Sequence, residues 1–336
     1  ARDVARGPRW FANWADHPSV VPAPGGALLA HWLVRSGDGT SRYGYGIRAA
    51  RATSERAPWS TMFTAEPASD DYAGFLAFVP ESDGFSAAYL APAESVPSPA
   101  PVPPADHGAG HPEPIKTLVF TRVKGDGQTA TRDVIDADVC SCCSVAAAVS
   151  RNGPIVAYRD RAAGEVRDIA IVRRVGGRWT APRIVHADAW TIPGCPTNGP
   201  ALAASGSRVV VAWFTAAAGV ARVRVASSSD AGATFTMPVT VDGGHPIGWA
   251  GVVLLPDGDA AVSWLEGTPG TAAQVRVRRV STDGRIGDPV MVAAAAGGRS
   301  TGIPQIASDG GRLLLAWRDG RVRTALVDAT TLPRAR

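Results

Sequence analysis

Short apolar runs alternate with polar turns along this chain, and the alternation repeats. Each repeat opens with a brief apolar stretch, turns at a glycine, and enters a second apolar stretch that ends in an aromatic residue. The turns are Gly25-Gly26, Asp83-Gly84, Asn152-Gly153, Ser205-Gly206, Asp257-Gly258 and Asp309-Gly310. The aromatics are Trp32, Tyr89, Tyr158, Trp213, Trp264 and Trp317, each five to seven residues after its turn glycine. Asn-Gly and Asp-Gly favour the positive φ angles of tight hairpin turns. Runs such as 208–214 and 312–317 are rich in branched apolar residues, too short for helices, and bounded by turn signals, so they read as buried strands. A third strand follows each aromatic, as in 220–227 and 274–280, and a fourth often follows that, as in 179–185.

The aromatics recur at intervals of 51–57 residues, with one interval of 69. Six like units of about four strands predict an all-β fold, a six-bladed β-propeller of four-stranded blades that occupies residues 1–336 as one domain. The long interval contains 91–114, a Pro-rich stretch with His107 and His111, read as a surface insertion within the second blade. The last unit has only about three strands. Residues 8–14 are therefore expected to supply its outer strand, closing the ring with the N-terminal strand.

Residues 228–235 read Ser-Ser-Asp-Ala-Gly-Ala-Thr-Phe and fit the Asp-box pattern S-x-D-x-G-x-T-W/F in full. Weaker copies fall at equivalent places, 54–60, 175–180 and 281–284. In such a turn Asp and Ser hold the backbone and Gly takes a positive φ. One full box on a six-fold repeat resembles the sialidase-like (BNR, or Asp-box) propeller superfamily over essentially the whole chain. More narrowly, 138–143, 158–161, 166–169, 194–200 and 264–266 resemble a group of bacterial exported proteins often labelled exo-α-sialidase. Fold does not carry function by itself.

That resemblance implies three convergent arginines for a substrate carboxylate, a Tyr nucleophile with a Glu partner, and an Asp acid/base. The first arginine belongs in a Phe/Tyr-Arg-Ile-Pro motif entering the first blade, and here Asp16 stands in that place. The nucleophilic Tyr belongs to the last blades, and here the last Tyr is Tyr158. Both departures argue against conventional sialidase activity. The groups left for catalysis are Asp16, Arg159, Asp160, Arg161, Arg167 and Asp168, with Glu165 as a further carboxylate. Asn198, Trp190, Trp249, Glu266 and Arg299 are the ligand-binding candidates. The alternative reading of 158–168 is a salt-bridged network between adjacent strands.

The chain has four cysteines, Cys140, Cys142, Cys143 and Cys195. The even count suits an oxidising compartment, and the start Ala-Arg-Asp suits a processed N-terminus, so a periplasmic or secreted bacterial protein is expected. In a propeller, the loops leading into the first strands gather at one mouth of the central channel. All four cysteines fall on two such loops of neighbouring blades, with His17 and His245 expected at the same mouth. Three arrangements fit: two disulfides; a copper or zinc site built from the four thiolates with His17 or His245; or one disulfide beside a reactive or metal-binding pair. No other cofactor is implied.

Composition changes this picture little. The chain has 336 residues, 45% hydrophobic and 19% charged, with a formal net charge of +4. The only lysines are Lys116 and Lys124, and the arginines are scattered among acids, so no nucleic-acid partner is expected. No apolar run is long enough for a membrane span. The leading expectation is a propeller that binds a metal or small ligand at a cysteine-rich axial site. A glycoside hydrolase acting on a glycan at an Arg/carboxylate site and a protein-binding scaffold are the alternatives.

Overall fold

The computed structural model describes residues 3–36, 44–65, 71–93, 114–270 and 272–335, with 299 and 300 described by backbone alone. Six separate antiparallel sheets succeed one another along the chain. Blade one holds β1 (Ser19–Ala23), β2 (Ala27–Arg35), β3 (Tyr45–Ala52) and β4 (Ser60–Ala65). Blade two holds β5 (Gly74–Pro80), β6 (Phe85–Pro92), β7 (Lys116–Val123) and β8 (Thr129–Val139). Blade three holds β9 (Ala146–Ser150), β10 (Gly153–Arg159), β11 (Ile169–Val175) and an outer strand broken into β12 (Arg178–Trp179) and β13 (Arg183–Ile184).

Blade four holds β14 (Ala201–Ser205), β15 (Arg208–Thr215), β16 (Arg222–Ser228) and β17 (Val239–Thr240). Blade five holds β18 (Pro246–Leu254), β19 (Ala260–Gly267), β20 (Ala272–Val280) and β21 (Val290–Ala296). Blade six has three strands, β22 (Gln305–Ser308), β23 (Arg312–Asp319) and β24 (Arg321–Asp328). The chain is thus a six-bladed β-propeller, and its only helical pieces among the described residues are single 3₁₀ turns.

The repeat aromatics sit on the second strand of each blade, β2, β6, β10, β15, β19 and β23. Five are buried and Trp317 is half-buried. This inner position between sheets explains why the sequence repeats an aromatic there, since a ring removes far more apolar area from water than an aliphatic side chain. The turn between β16 and β17 has the hydrogen bonds its sequence calls for. Ser228 Oγ donates to Asp230 Oδ1 at 2.7 Å and accepts from Gly232 N at 2.8 Å. Asp230 also accepts from Thr234 N at 2.8 Å and Thr234 Oγ1 at 2.6 Å. Burial pushes the Asp230 carboxyl up, but these donors outweigh it and hold it at about 2.

The N-terminal segment does not complete blade six. Trp10 pairs with Val34 of β2, Phe11 N donates to Leu33 O at 3.1 Å, and Arg35 N donates to Arg9 O at 2.8 Å. Aromatic packing captures the segment on blade one: Trp10 stacks on Trp32 at 5.8 Å, and Phe11 packs on Tyr45 at 4.5 Å under the Arg35 guanidinium. Further along, Trp14 and Ile303 pack against the cores of both blade one and the last two blades. The expected insertion at 91–114 lies almost wholly outside the described residues.

Candidate functional site

β8 ends at Val139, and the following loop carries three cysteines across the channel mouth into β9. Cys140 N donates to Arg159 O at 3.1 Å, which fixes the start of the loop on β10. Tyr72 OH donates to Ser141 O. Cys142 forms a disulfide with Cys195, 53 residues away, across a Cα–Cα distance of 6.0 Å. Cys140 and Cys143 are free, buried, and 3.0 Å apart at sulfur. Cys140 Sγ also lies 3.9 Å from Cys142 Sγ. The structure thus takes the third arrangement, one disulfide beside a thiol pair. The set of four thiolates expected for copper or zinc is reduced, because Cys142 and Cys195 are bonded to each other and present no thiolate.

Arg167 Nη1 approaches Cys140 Sγ at 3.5 Å. Burial pushes the Cys140 thiol up, but the hydrogen bond from Cys143, the Arg167 charge, the Cys142 N–H and the Arg159 charge together outweigh it and hold Cys140 at about 6. Burial and the neighbouring Cys140 push Cys143 well above the usual thiol range. The pair therefore has one thiolate-forming member and one proton-holding member.

The arginines and acids of 158–168 brace this loop. Glu165 is gripped from two sides, by Arg161 Nη2 at 3.0 Å and by Arg167 Nε at 3.0 Å. Burial raises its carboxyl, and the two guanidiniums outweigh that and hold it low. Arg159 is buried and spends its donors on carbonyls: Asn198 O at 2.7 Å, Phe214 O at 2.7 Å and Arg167 O at 2.5 Å. It lies 4.8 Å from the Trp190 ring, beneath which Phe214 packs edge-on. Asp168 accepts from Ala189 N at 2.9 Å and Trp190 N at 3.1 Å. Asp160 accepts from Arg161 N at 2.8 Å, and burial together with Asp136 pushes its carboxyl to about 6. Arg159, Arg161 and Arg167 thus converge on internal partners, not on an open substrate-carboxylate site.

Asp16 and Asn198 repeat one device. The first strands of blades two and five both carry a bulge where a glycine precedes an aromatic with positive φ: Gly74-Phe75 (φ 57°) and Gly248-Trp249 (φ 53°). Asp16 Oδ2 accepts from Phe75 N at 2.8 Å, and Asn198 Oδ1 accepts from Trp249 N at 2.7 Å. In each case the cap comes from the loop leading into the blade before. A Cβ on Gly74 or Gly248 would collide with the capping oxygen, so glycine is required there. Asp16 lacks the neutral amide of Asn198, and burial drives its carboxyl up to about 7, against the lowering effect of the Phe75 N–H.

Above these bulges lies a cavity of about 440 Å³ lined by Phe11, Trp14, Arg35, Tyr45, Tyr72 and the Cys142–Cys195 disulfide. Tyr45 and Tyr72 stack at 5.0 Å, and Trp14 packs edge-on against Trp249 at 5.6 Å. Lys116 holds Tyr72 from behind. Its Nζ sits 3.5 Å from the ring, donates to Tyr72 O at 2.6 Å, and pairs with Asp71 at 2.5 Å. Burial lowers the Lys116 ammonium to about 8 despite Asp71. Among the described residues no carboxylate lines this cavity.

A second cavity of about 380 Å³ runs down the axis, lined by Asp16, His17, His31, Ser144 and residues of the inner strands. His17 faces that channel, and burial lowers its imidazole. His31 is held by Ser19 at 2.7 Å, with burial and His17 lowering it to about 3. His245 is exposed, and its backbone N–H donates to Glu266 Oε1 at 2.8 Å. Glu266 also accepts from Gly243 N at 3.0 Å and from the Trp264 indole, so it organises the turn leading into β18 and is not among the residues lining the mouth cavity. Trp190 and Trp249, expected as stacking platforms, are both buried, and Trp249 Nε1 donates to Thr197 O at 2.9 Å. The side chain of Arg299 lies outside the described residues.

The sequence reading missed Phe11, Trp14, Arg35, Tyr45, Tyr72 and Lys116. One signal was available for Lys116, one of only two lysines in an arginine-rich chain. Another joins Asp16-His17-Pro18 to Asn198-Gly199-Pro200, an Asx-x-Pro repeat at the same point of two blades.

No family model and no curated protein matches this sequence. Solved structures do match in fold. A Hadza microbial sialidase aligns over 94% of this chain at 15% identity, with a TM-score of 0.53. This chain spans 66% of that sialidase, just under two thirds of its length. An α-L-arabinanase from Penicillium chrysogenum, complexed with arabinobiose, aligns over 94% of both chains at 15% identity and TM-score 0.55. A polysaccharide lyase, an ulvan lyase, covers 96% of this chain and 81% of its own at 10% identity and TM-score 0.56. At these identities the likeness shows the propeller architecture.

Proposed function

We propose that this propeller binds a small ligand, carbohydrate before other classes, in the aromatic cavity at its mouth. The observation that carries the reading is the cavity wall. Its half-buried rings, Phe11 and Trp14, offer apolar faces of the kind on which sugar rings pack, with the buried Tyr45–Tyr72 stack behind them and Arg35 beside Phe11. The architecture also serves a sialidase, an arabinanase and an ulvan lyase, so glycans are the class to test first.

Binding fits better than hydrolysis. Glycoside hydrolysis ordinarily needs two carboxyl groups flanking one bond, about 5–10 Å apart. Here Asp16 caps a bulge in the axial channel, and Asp160, Asp168, Glu165 and Glu266 are engaged with backbone amides or guanidiniums. Residence in an oxidising compartment belongs to the same proposal, supported by the Cys142–Cys195 disulfide.

Titration of tryptophan fluorescence with a panel of mono- and oligosaccharides tests the reading. Saturable quenching that weakens at least about tenfold in Trp14→Ala and Phe11→Ala is expected. Turnover of a fluorogenic glycoside, abolished in Asp16→Asn, would replace binding with hydrolysis.

A further inference from the structure

The cysteine loop places a free thiol pair directly behind a disulfide that faces the mouth cavity. Cys195 is exposed and Cys142 half-buried, and both line the cavity. Cys140 and Cys143 are buried behind them. The sulfurs of Cys140, Cys142 and Cys143 all lie within 4.8 Å of one another. The free pair is in contact at 3.0 Å, and Cys140 Sγ is 3.9 Å from the nearer disulfide sulfur. Arg167 Nη1 points at Cys140 Sγ from 3.5 Å, giving a negative sulfur a partner. A purely structural disulfide needs no second pair of sulfurs stacked against it and no guanidinium aimed at one of them.

We propose that the four cysteines form a thiol–disulfide relay that passes two electrons from the buried pair to a low-molecular-weight disulfide in the mouth cavity. The Cys140 thiolate attacks Cys142 Sγ. A Cys140–Cys142 bond forms, the Cys142–Cys195 bond breaks, and the electron pair leaves on Cys195 Sγ, now a thiolate facing the cavity. Cys195 attacks the incoming disulfide, forms a mixed disulfide and releases one thiolate, which takes up the proton given up by Cys140. Cys143 then loses its proton and attacks Cys140 Sγ, which frees the Cys142 thiolate. Cys142 attacks Cys195 Sγ, restores the original bond and expels the second thiol, which carries the proton from Cys143. The protein ends with Cys140–Cys143 and Cys142–Cys195 both bonded, and the substrate disulfide ends as two thiols. The exposed sulfur is the receiving one, and the buried pair is shielded from direct attack.

This relay rests on the mouth cavity being where a solute meets the protein, as proposed above. Its test reads sulfur chemistry alone, so it can fail while sugar binding stands, and the reverse. The full chain, purified without reductant, is exposed to glutathione disulfide as the probe. Released glutathione is counted, and alkylated peptides are mapped by mass spectrometry. Wild type is expected to release two glutathione per chain and gain a Cys140–Cys143 bond. Cys143→Ser is expected to stall with glutathione on Cys195, and Cys140→Ser to react at least about a hundredfold more slowly.

Glutathione attached to Cys140 or Cys143 in wild type, with none trapped on Cys195 in Cys143→Ser, would overturn the relay. So would a stoichiometric copper or zinc ion held by Cys140 and Cys143, with no glutathione released even after the ion is removed. If Cys140→Ser does not fold, trapping on Cys195 in Cys143→Ser decides the matter by itself.

Discussion

Asp16 and Asn198 cap the same bulge in two different blades, one with a carboxyl oxygen on Phe75 N and the other with an amide oxygen on Trp249 N. The position asks for an acceptor and gives a charge nothing in return, so an amide serves it better than an ionised carboxylate. The carboxyl of Asp16 answers by holding its proton to about pH 7 instead of 3.8.

Asp16→Asn should therefore stabilise the protein at high pH and not at low pH. Below about pH 4 Asp16 is protonated in both folded and unfolded chains, and the two proteins should match. Between pH 4 and 7 the folded chain binds the extra proton, so wild-type stability falls as pH rises. Above pH 7 the variant should lead by about 2–4 kcal/mol. Urea unfolding at pH 4.5 and pH 8 checks this, and an equal difference at both would refute it.

Gly74→Ala should be costly for the same geometry. The added methyl would meet the Asp16 oxygen and disturb the bulge that aims Phe75 at the channel. A loss of about 2–3 kcal/mol is expected, well above the cost of Gly25→Ala, where a Cβ meets open space. Thermal melting of the two variants side by side sets the collision at Gly74 against the backbone strain at Gly25, whose φ of 74° is positive while that of Gly74 is not.

Lys116→Met should destabilise by about 2–3 kcal/mol, because it takes the counter-charge from Asp71, which keeps only the Tyr72 N–H, and leaves the Tyr72 carbonyl without the ammonium donor. Adding Asp71→Asn should recover part of that loss, a coupling readable in a double-mutant cycle. The pH dependence has its own sign. The folded chain releases the Lys116 proton at about 8 and the unfolded chain near 10.5, so wild type should gain on Lys116→Met as pH rises across that window.

Arg167→Met should raise the Cys140 titration above its value of about 6, since a donor and a charge are lost together. Thiolate absorbance near 240 nm, followed against pH with Cys140→Ser as blank, reports it. An unchanged midpoint would assign the low value to the Cys143 hydrogen bond and the Cys142 N–H instead.

The blades were legible because each repeats one simple requirement, a glycine turn followed by a ring that fills the space between sheets. Trp213 and Trp264 are fully buried where that rule puts them. The gathering of four cysteines at one mouth followed from the same register. Their pairing did not, because whether Cys195 reaches Cys142, Cys140 or Cys143 depends on loop shape at a scale of an ångström or two. The arginines could be read as anion binders or as internal braces. Glu165, at φ 59° on a 3₁₀ turn, decides for bracing, and no local pattern announces that backbone. The N-terminal segment was assigned to the wrong blade because its strand length fits either edge. Its rings chose Trp32 and Tyr45.

Trp14 belongs at once to the wall of the mouth cavity and to the packing that joins blade one to the last two blades. With residues 9–11 bound to β2, side chains such as Trp14 and Ile303 carry the joint between the two ends of the ring. Occupying the cavity and keeping the circle shut then become a single equilibrium. A solute that settles against this indole resists the parting of first and last blades by the same free energy with which it binds. Amide hydrogens on β22 and β23 should exchange more slowly in its presence, although no atom of the solute touches them.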